Sequence, residues 1–310
     1  MTVRPRAARP ALLGAALLLS LLAVGASNAS AQEAFLSRCG AGVHADEGSG
    51  WISVPQGQLF CPLAADPKAE RTFASYLRGD FATIADPPPG ADSNIAAVGF
   101  GDSFALFRWA ARTPGNGIQF DIAGAVFSQF DLDRPSFDLV NADYLIGLPI
   151  TARYFGFSMR VRAYHQSSHL GDEFLLNRQP ERINLSFESL EVILSQEVGL
   201  LRVYAGGESF FRREPANLAE RLFHAGGELR PLVFGGGRLL AAFDYKLVDD
   251  GSWRYAWNAR AGIELARVPS PGHPPRVISL VLDYYDGTAP YGQFYRDDIG
   301  YLGVGINLSR

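Results

Sequence analysis

The sequence predicts an all-β fold, a closed antiparallel transmembrane β-barrel of about twelve strands. Three observations carry this expectation. The chain opens with an export leader, apolar and polar residues then alternate in long runs, and the polar side of those runs carries charges of both signs.

The leader comes first. Arg4, Arg6 and Arg9 precede an apolar run from Ala11 to Val24, and Ala29-Ser30-Ala31 gives the small-x-small pattern that signal peptidase reads. The run is too short for a spanning helix, and no stop-transfer pattern follows it. Residues 1–31 are therefore expected to be a cleaved signal peptide. Its three arginines and absence of acid take the formal charge from −4 to −7 in the exported chain. Lys68 and Lys246 are the only lysines. An acidic chain without a basic run is unsuited to nucleic acid, whose binding rests on phosphate neutralisation.

Residues 32–71 do not alternate and read as a periplasmic extension or a small plug. They hold Cys39 and Cys61, the chain's two cysteines. In an oxidising compartment an isolated pair reads as one disulfide. The rival reading, a metal site, has no CxxC to stand on and only His44 as a nearby imidazole.

Residues 72–310 are assigned to the barrel. Ile118, Phe120 and Ile122 alternate with Gln119, Asp121 and Ala123; Phe157, Met159, Val161 and Ala163 alternate with Ser158, Arg160, Arg162 and Tyr164. Period two with one apolar face describes a strand covered on that side. Such runs centre near residues 78, 102, 124, 144, 160, 189, 206, 228, 244, 259, 282 and 304. The first, Phe73 to Ile84, alternates least well, but it makes the count even, as in single-chain bacterial outer-membrane barrels. The runs of about ten residues suit a tilted bilayer crossing, whereas soluble strands average roughly five to six. Arg160, Arg162, Glu188, Arg202, Glu208, Glu228 and Arg230 are assigned to the lumen, where opposite charges pair. Aromatics at run ends, such as Phe210, Phe211, Trp253, Tyr291, Phe294 and Tyr295, fit interfacial girdles.

With both termini periplasmic, short turns fall at Thr151–Arg153, Glu197–Gly199 and Phe234–Arg238. Long connections, Ala85–Asn94, Ser168–Glu181 and Arg213–Arg221, fall outside. Arg267–Pro275 stands apart as a long, Pro-rich connection on the periplasmic side. The final run, Ile299–Leu308, reads as the strand that closes the barrel.

The segments FGDSFALFRW from Phe100, FSQFDLDRPSFDLVNADYLIGLPI from Phe127, YHQSSHLGDEFLL from Tyr164 and YYDGTAPYGQFYR from Tyr284 resemble a family of uncharacterised bacterial outer-membrane β-barrel proteins, known only as a domain of unknown function. The resemblance implies the architecture and no activity.

One motif points to chemistry. In Tyr164-His165-Gln166-Ser167-Ser168-His169, a strand sends His165 and Ser167 out on the same face. Counting back in twos reaches Ala163, Val161, Met159 and Phe157, so that face is the lipid side, at the outer end. A hydroxyl beside an imidazole supplies nucleophile and base for attack on an ester carbonyl. This H-x-S resembles that of the outer-membrane phospholipase A and lipid A deacylase barrels. The resemblance implies an asparagine that orients the histidine, with Asn177 and Asn184 as alternatives, and calcium held near Asp172 and Glu173 if the protein is such a hydrolase. Otherwise no cofactor or metal is expected: Asp131, Asp133, Asp249 and Asp250 read as solvated turn acids.

Three functions follow. The first is an outer-membrane barrel with a structural or lipid-organising role. The alternatives are a lipid acyl-ester hydrolase and a small-solute channel. The expected partners are outer-membrane lipids and, during biogenesis, the barrel-assembly machinery.

Overall fold

The computed structural model describes residues 49–309 apart from 86, 88–90, 114, 181–182, 235–236 and 267–276. Residues 1–31, read as a signal peptide, Cys39 and the Arg267–Pro275 connection lie outside the described residues.

Fourteen strands share one sheet, and twelve of them close it into an antiparallel barrel. β1 (Gly50–Ser53) is a short flank. β2 (Thr72–Asp80), β3 (Ser93–Ala110), β4 (Gly117–Asp131), β5 (Asp138–Tyr154), β6 (Phe157–Leu170), β7 (Leu185–Val198), β8 (Leu201–Glu214) and β9 (Arg221–Leu229) follow one another around the wall. β10 (Leu232–Phe234) pairs with the start of β11 (Gly237–Asp249), and β12 (Trp253–Ala266), β13 (Val277–Thr288) and β14 (Asp298–Ser309) complete the circuit. β14 pairs with β2 from Gly300↔Asp80 to Leu308↔Thr72, so the ladder closes on itself. Closure removes the exposed strand edges that an open sheet would present. No helix among the described residues is long and apolar enough to cross a membrane. The strands do the crossing.

Alternation sorts the side chains. Ile146, Leu148 and Ile150 on β5, Leu190, Val192 and Leu194 on β7, and Leu302, Val304 and Ile306 on β14 are exposed on the outer wall. Between them Thr151, Ser189, Glu191 and Ser195 are buried facing inward. An apolar exterior around a polar interior is stable only where lipid replaces water outside.

The connections differ in detail from the sequence reading. Thr151–Arg153 is strand, not turn: β5 continues because Arg153 pairs with Glu197, at 2.6 Å, and the chain reverses at Phe155 and Gly156, both with positive φ. The outer connection after β6 starts past Leu170 and contains α2 (Asp172–Arg178). The last part of the first run, read as strand to Ile84, instead forms α1 (Ala82–Ala85), whose Ile84 packs in a cluster with Phe81, Tyr285 and Tyr301. β1, within the stretch read as non-alternating, pairs with the C-terminal end of β3, Gly50↔Ala110 to Ser53↔Phe107.

The segment from Gln56 to Arg71 runs through the lumen. Arg108 on β3 donates to the Gln56 and Gly57 carbonyls, at 2.8 and 2.9 Å, and Arg202 on β8 to the Cys61 carbonyl, at 3.1 Å. The Ala64 N–H donates to Glu228 at 2.8 Å; Arg260 donates to the Ala64 carbonyl and Asn258 to the Ala65 carbonyl, both at 2.7 Å. Asp66 pairs with Lys246 and Lys68 with Asp143, both at 2.6 Å, and Glu70 pairs with Arg162. The Phe60 ring lies between the Arg160 and Arg202 guanidinium groups, 4.6 and 4.7 Å away. Burying this many charges costs less only because each meets a partner, and a segment with no side-chain alternation supplies the backbone carbonyls that wall arginines need.

Candidate functional site

β6 carries the H-x-S motif with its faces fully sorted. Phe157, Met159 and Ala163 are exposed on the outer wall, and His165 and Ser167 continue that face half-exposed; Arg160, Arg162, Gln166 and Ser168 are buried inward. His165 pairs in register with Ile146 of β5 and Glu188 of β7, and Ser167 with Tyr144 and Ser186. Register partners in adjacent strands point to the same side. The His165 Nδ1 lies 3.3 Å from Glu188 Oε1, and Arg212 Nε lies 3.8 Å from Glu188 Oε2. The side chains of His165, Glu188 and Arg212 are 43%, 30% and 80% exposed, so the row is on the outer wall.

Two sequence expectations need correction here. Glu188 does not face the lumen. Leu185 and Phe187 point inward at the outer end, where the lumen wall turns apolar, and this inverts the usual polarity of this end of β7. Glu191, three residues on and so of opposite parity, is the carboxylate that meets Arg160 at 2.8 Å and Arg162 at 2.6 Å. Neither asparagine reaches His165. Asn177 sits on α2 and donates to Asp138 at 2.7 Å, while Asn184 is exposed ahead of β7. The place beside the imidazole is filled by a carboxylate that cross-strand register delivers. Asp172 and Glu173 are exposed in the first turn of α2, and no group of three metal-ligating side chains forms among the described residues.

The other lumen residues find these partners. Arg202 meets Glu228 at 3.3 Å, Arg230 bonds Glu228 and Glu264, and Glu208 accepts from the Tyr164 hydroxyl and from Ser189 at 2.5 Å. The inward His224, bonded to Asp244 between β9 and β11, was not singled out in the sequence. Its alternation with Phe223 and Ala225 on β9 carried the signal.

The closed barrel with its lipid-facing belt is the architecture of outer-membrane β-barrel proteins. Residues 44–309 match the family described as "Protein of unknown function (DUF1207)", and the chain belongs to that family. No curated protein matches it. Among solved structures it is similar to outer membrane phospholipase A from Escherichia coli, at 16% identity and a TM-score of 0.53, over 80% of this chain and 93% of that one. It is also similar to a Salmonella typhi outer membrane phospholipase dimer with bound calcium, at 14% identity and a TM-score of 0.51, over 79% and 93% of the two chains. At these identities the likeness is one of fold.

Proposed function

We propose that this outer-membrane barrel is a lipid acyl-ester hydrolase whose nucleophile is Ser167 and whose base is His165. One observation carries the reading: His165 Nδ1 faces Glu188 Oε1 on the outer wall, with Ser167 two residues further on the same strand face. In this reading the Nδ1 proton is donated to Glu188, which fixes the ring and leaves Nε2 as base. The Ser167 Oγ attacks the ester carbonyl as Nε2 takes its proton; the alcohol leaves with that proton. Water then attacks the acyl-enzyme, returns a proton through Nε2, and the fatty acid departs. Lipid esters are the substrate class because the face is the one that lipid covers. Asp and Glu serve equally as the third member of such triads.

The lumen segment counts against a small-solute channel, since it is tied to the wall by buried ion pairs at several heights. A filled barrel that only organises lipid is the reading that remains if hydrolysis fails. We also read residues 1–31 as a cleaved leader that directs the chain to the outer membrane, residues 32–71 as a plug, and Cys39 with Cys61 as a disulfide that staples the plug's approach to the barrel.

The test is refolded full-length protein with phospholipid and with lipid A, with and without calcium. Fatty-acid release that Ser167→Ala and His165→Ala abolish is the expected result. No release by the unaltered protein on any substrate overturns the reading.

A further inference from the structure

The outer half of the lumen is not filled. Above Asp66 and Lys68 lies a cavity of about 170 Å³, walled by β5 to β9, β11 to β13 and the connection after β13. A cavity of about this size takes up a molecule as large as benzene. Two aromatic residues of its wall, Phe187 and Phe210, stand with centroids 4.9 Å apart at 75°, and Tyr164 stands 5.9 Å from Phe187 at 74°. Three rings set nearly at right angles make a corner whose faces carry the negative lobes of their quadrupoles.

The charge of the cavity is unbalanced. Lys68, Lys246 and Arg162 are each bound to a carboxylate. Glu208 accepts only from the hydroxyls of Tyr164 and Ser189, and Asp244 only from Tyr204, at 2.7 Å, and His224. Among the described residues neither carboxylate has an arginine or lysine at ion-pair distance. Glu208 belongs to the aromatic corner through Tyr164, and Glu208, Phe187 and Phe210 are half-exposed, so solvent reaches it. A partly buried carboxylate served by neutral donors is stabilised less than one that meets a cation. What this corner lacks is a cation in direct contact with Glu208, and its aromatic walls suit one with an apolar coat.

We propose that the cavity binds a small organic cation, an amine or quaternary ammonium compound, with Glu208 as counter-charge and Phe187, Phe210 and Tyr164 as the rings that face its methyl or methylene groups. Inorganic cations fit less well, since a hard ion needs a full shell of oxygens that rings do not provide. Anions meet Glu208 and Asp244 and find both lysines already engaged. A quaternary ammonium loses little hydration on entering an aromatic corner, so the cation–π attraction is retained. One ring is partly committed: the Arg162 guanidinium lies 4.6 Å from the Tyr164 centroid, which leaves Phe187 and Phe210 as the main faces.

The experiment is calorimetric titration of the refolded full chain in an uncharged detergent, with choline and ethanolamine as probes. 3,3-Dimethylbutanol, the uncharged analogue of choline, and inorganic phosphate serve as comparisons. Saturable choline binding, at least tenfold tighter than that of dimethylbutanol, is the expected result. Glu208→Gln and Phe187→Ala should each weaken choline at least tenfold. The choline-to-dimethylbutanol comparison needs no variant, so it decides the matter even if a substitution disturbs assembly. Absence of choline and ethanolamine binding at millimolar concentration, equal binding of dimethylbutanol, or a preference for phosphate overturns the proposal.

Discussion

His165 and Glu188 face one another across the ladder of β6 and β7, Nδ1 to Oε1 at 3.3 Å, on the wall opposite to the one where Arg162 meets Glu191. Two ion-pairing rows thus share the same two strands, one looking at lipid and one at the lumen. The inner row neutralises buried charge. The outer row has no such task, since its residues lie on the outer face and pack in no core.

The outer row is therefore expected to be separable from folding. Ser167→Ala and His165→Ala should remove fatty-acid release by orders of magnitude while leaving the heat-dependent gel shift of a closed barrel unchanged. Glu188→Gln should fall between these and the unaltered protein, because an amide still accepts from Nδ1 but does not stabilise the imidazolium. Ser209→Ala, another exposed outer-wall serine, provides the control with full activity. Ser168→Ala does not serve as a control, for Ser168 is buried and donates to Asn141, at 2.9 Å, and Asp143. Equal activity of Ser167→Ala and Ser209→Ala would falsify the assignment.

Asp143 binds three parts of the molecule together. Its carboxylate meets Lys68 of the lumen segment at 2.6 Å, Ser168 of β6, and the Gly292 N–H of the outer connection at 3.1 Å. Asp143→Asn keeps the shape but leaves the Lys68 ammonium buried without its counter-charge. Breaking such a pair costs about 3–5 kcal/mol. Hydrogen exchange in residues 56–71 is expected to accelerate strongly while the strands stay protected. If exchange in that stretch is unchanged, the pair does not anchor it.

Gly226 on β9 faces the Tyr204 ring, and a Cβ there would collide with the Tyr204 Oη and the Phe243 carbonyl oxygen. Tyr204 also donates to Asp244, so the ring has little room to retreat. Gly226→Ala should destabilise the barrel by about 1–3 kcal/mol, as overpacking does, read as a lower urea midpoint in unfolding. An unchanged midpoint would show that the ring moves freely.

Much of this architecture was legible because a barrel wall obeys period two. On β4 the alternation Ile118-Gln119-Phe120-Asp121 assigns each face directly, and the exposed and buried residues follow it. Parity gave His165 and Ser167 a lipid-facing wall for the same reason. It failed on Glu188, because the rule assumes a polar lumen and the outer lumen is lined by Leu185, Phe187 and Phe210. The orienting residue was illegible on other grounds. Glu188 is 23 residues from His165, and only the register of two strands joined by a helical connection makes them neighbours. The lumen segment gave no periodic signal at all, since its hydrogen bonds come from its backbone carbonyls and from single side chains such as Asp66 and Lys68.

Acid should release this lumen segment only late. Burial by itself would raise the Asp66 carboxyl, but the Lys246 ammonium at 2.6 Å, His224, and the Lys68 N–H at 2.9 Å outweigh it and hold the carboxyl well below the usual carboxylate range. A carboxyl depressed on folding contributes stability that is fully present above its unfolded value, near 3.9, and is lost as pH falls through the folded value. Between pH 7 and pH 4 the Asp66 contribution should therefore stay constant, and it should fade only in strong acid. Hydrogen exchange of residues 56–71, corrected for intrinsic rates, reads this directly. Protection should persist at pH 4 in the unaltered protein. In Asp66→Asn it should be reduced already at pH 7, and the gap between the two should narrow only as the medium becomes strongly acidic. Protection lost between pH 6 and pH 4 in the unaltered protein would mean that some other group, with a higher pKa, holds the segment in the lumen.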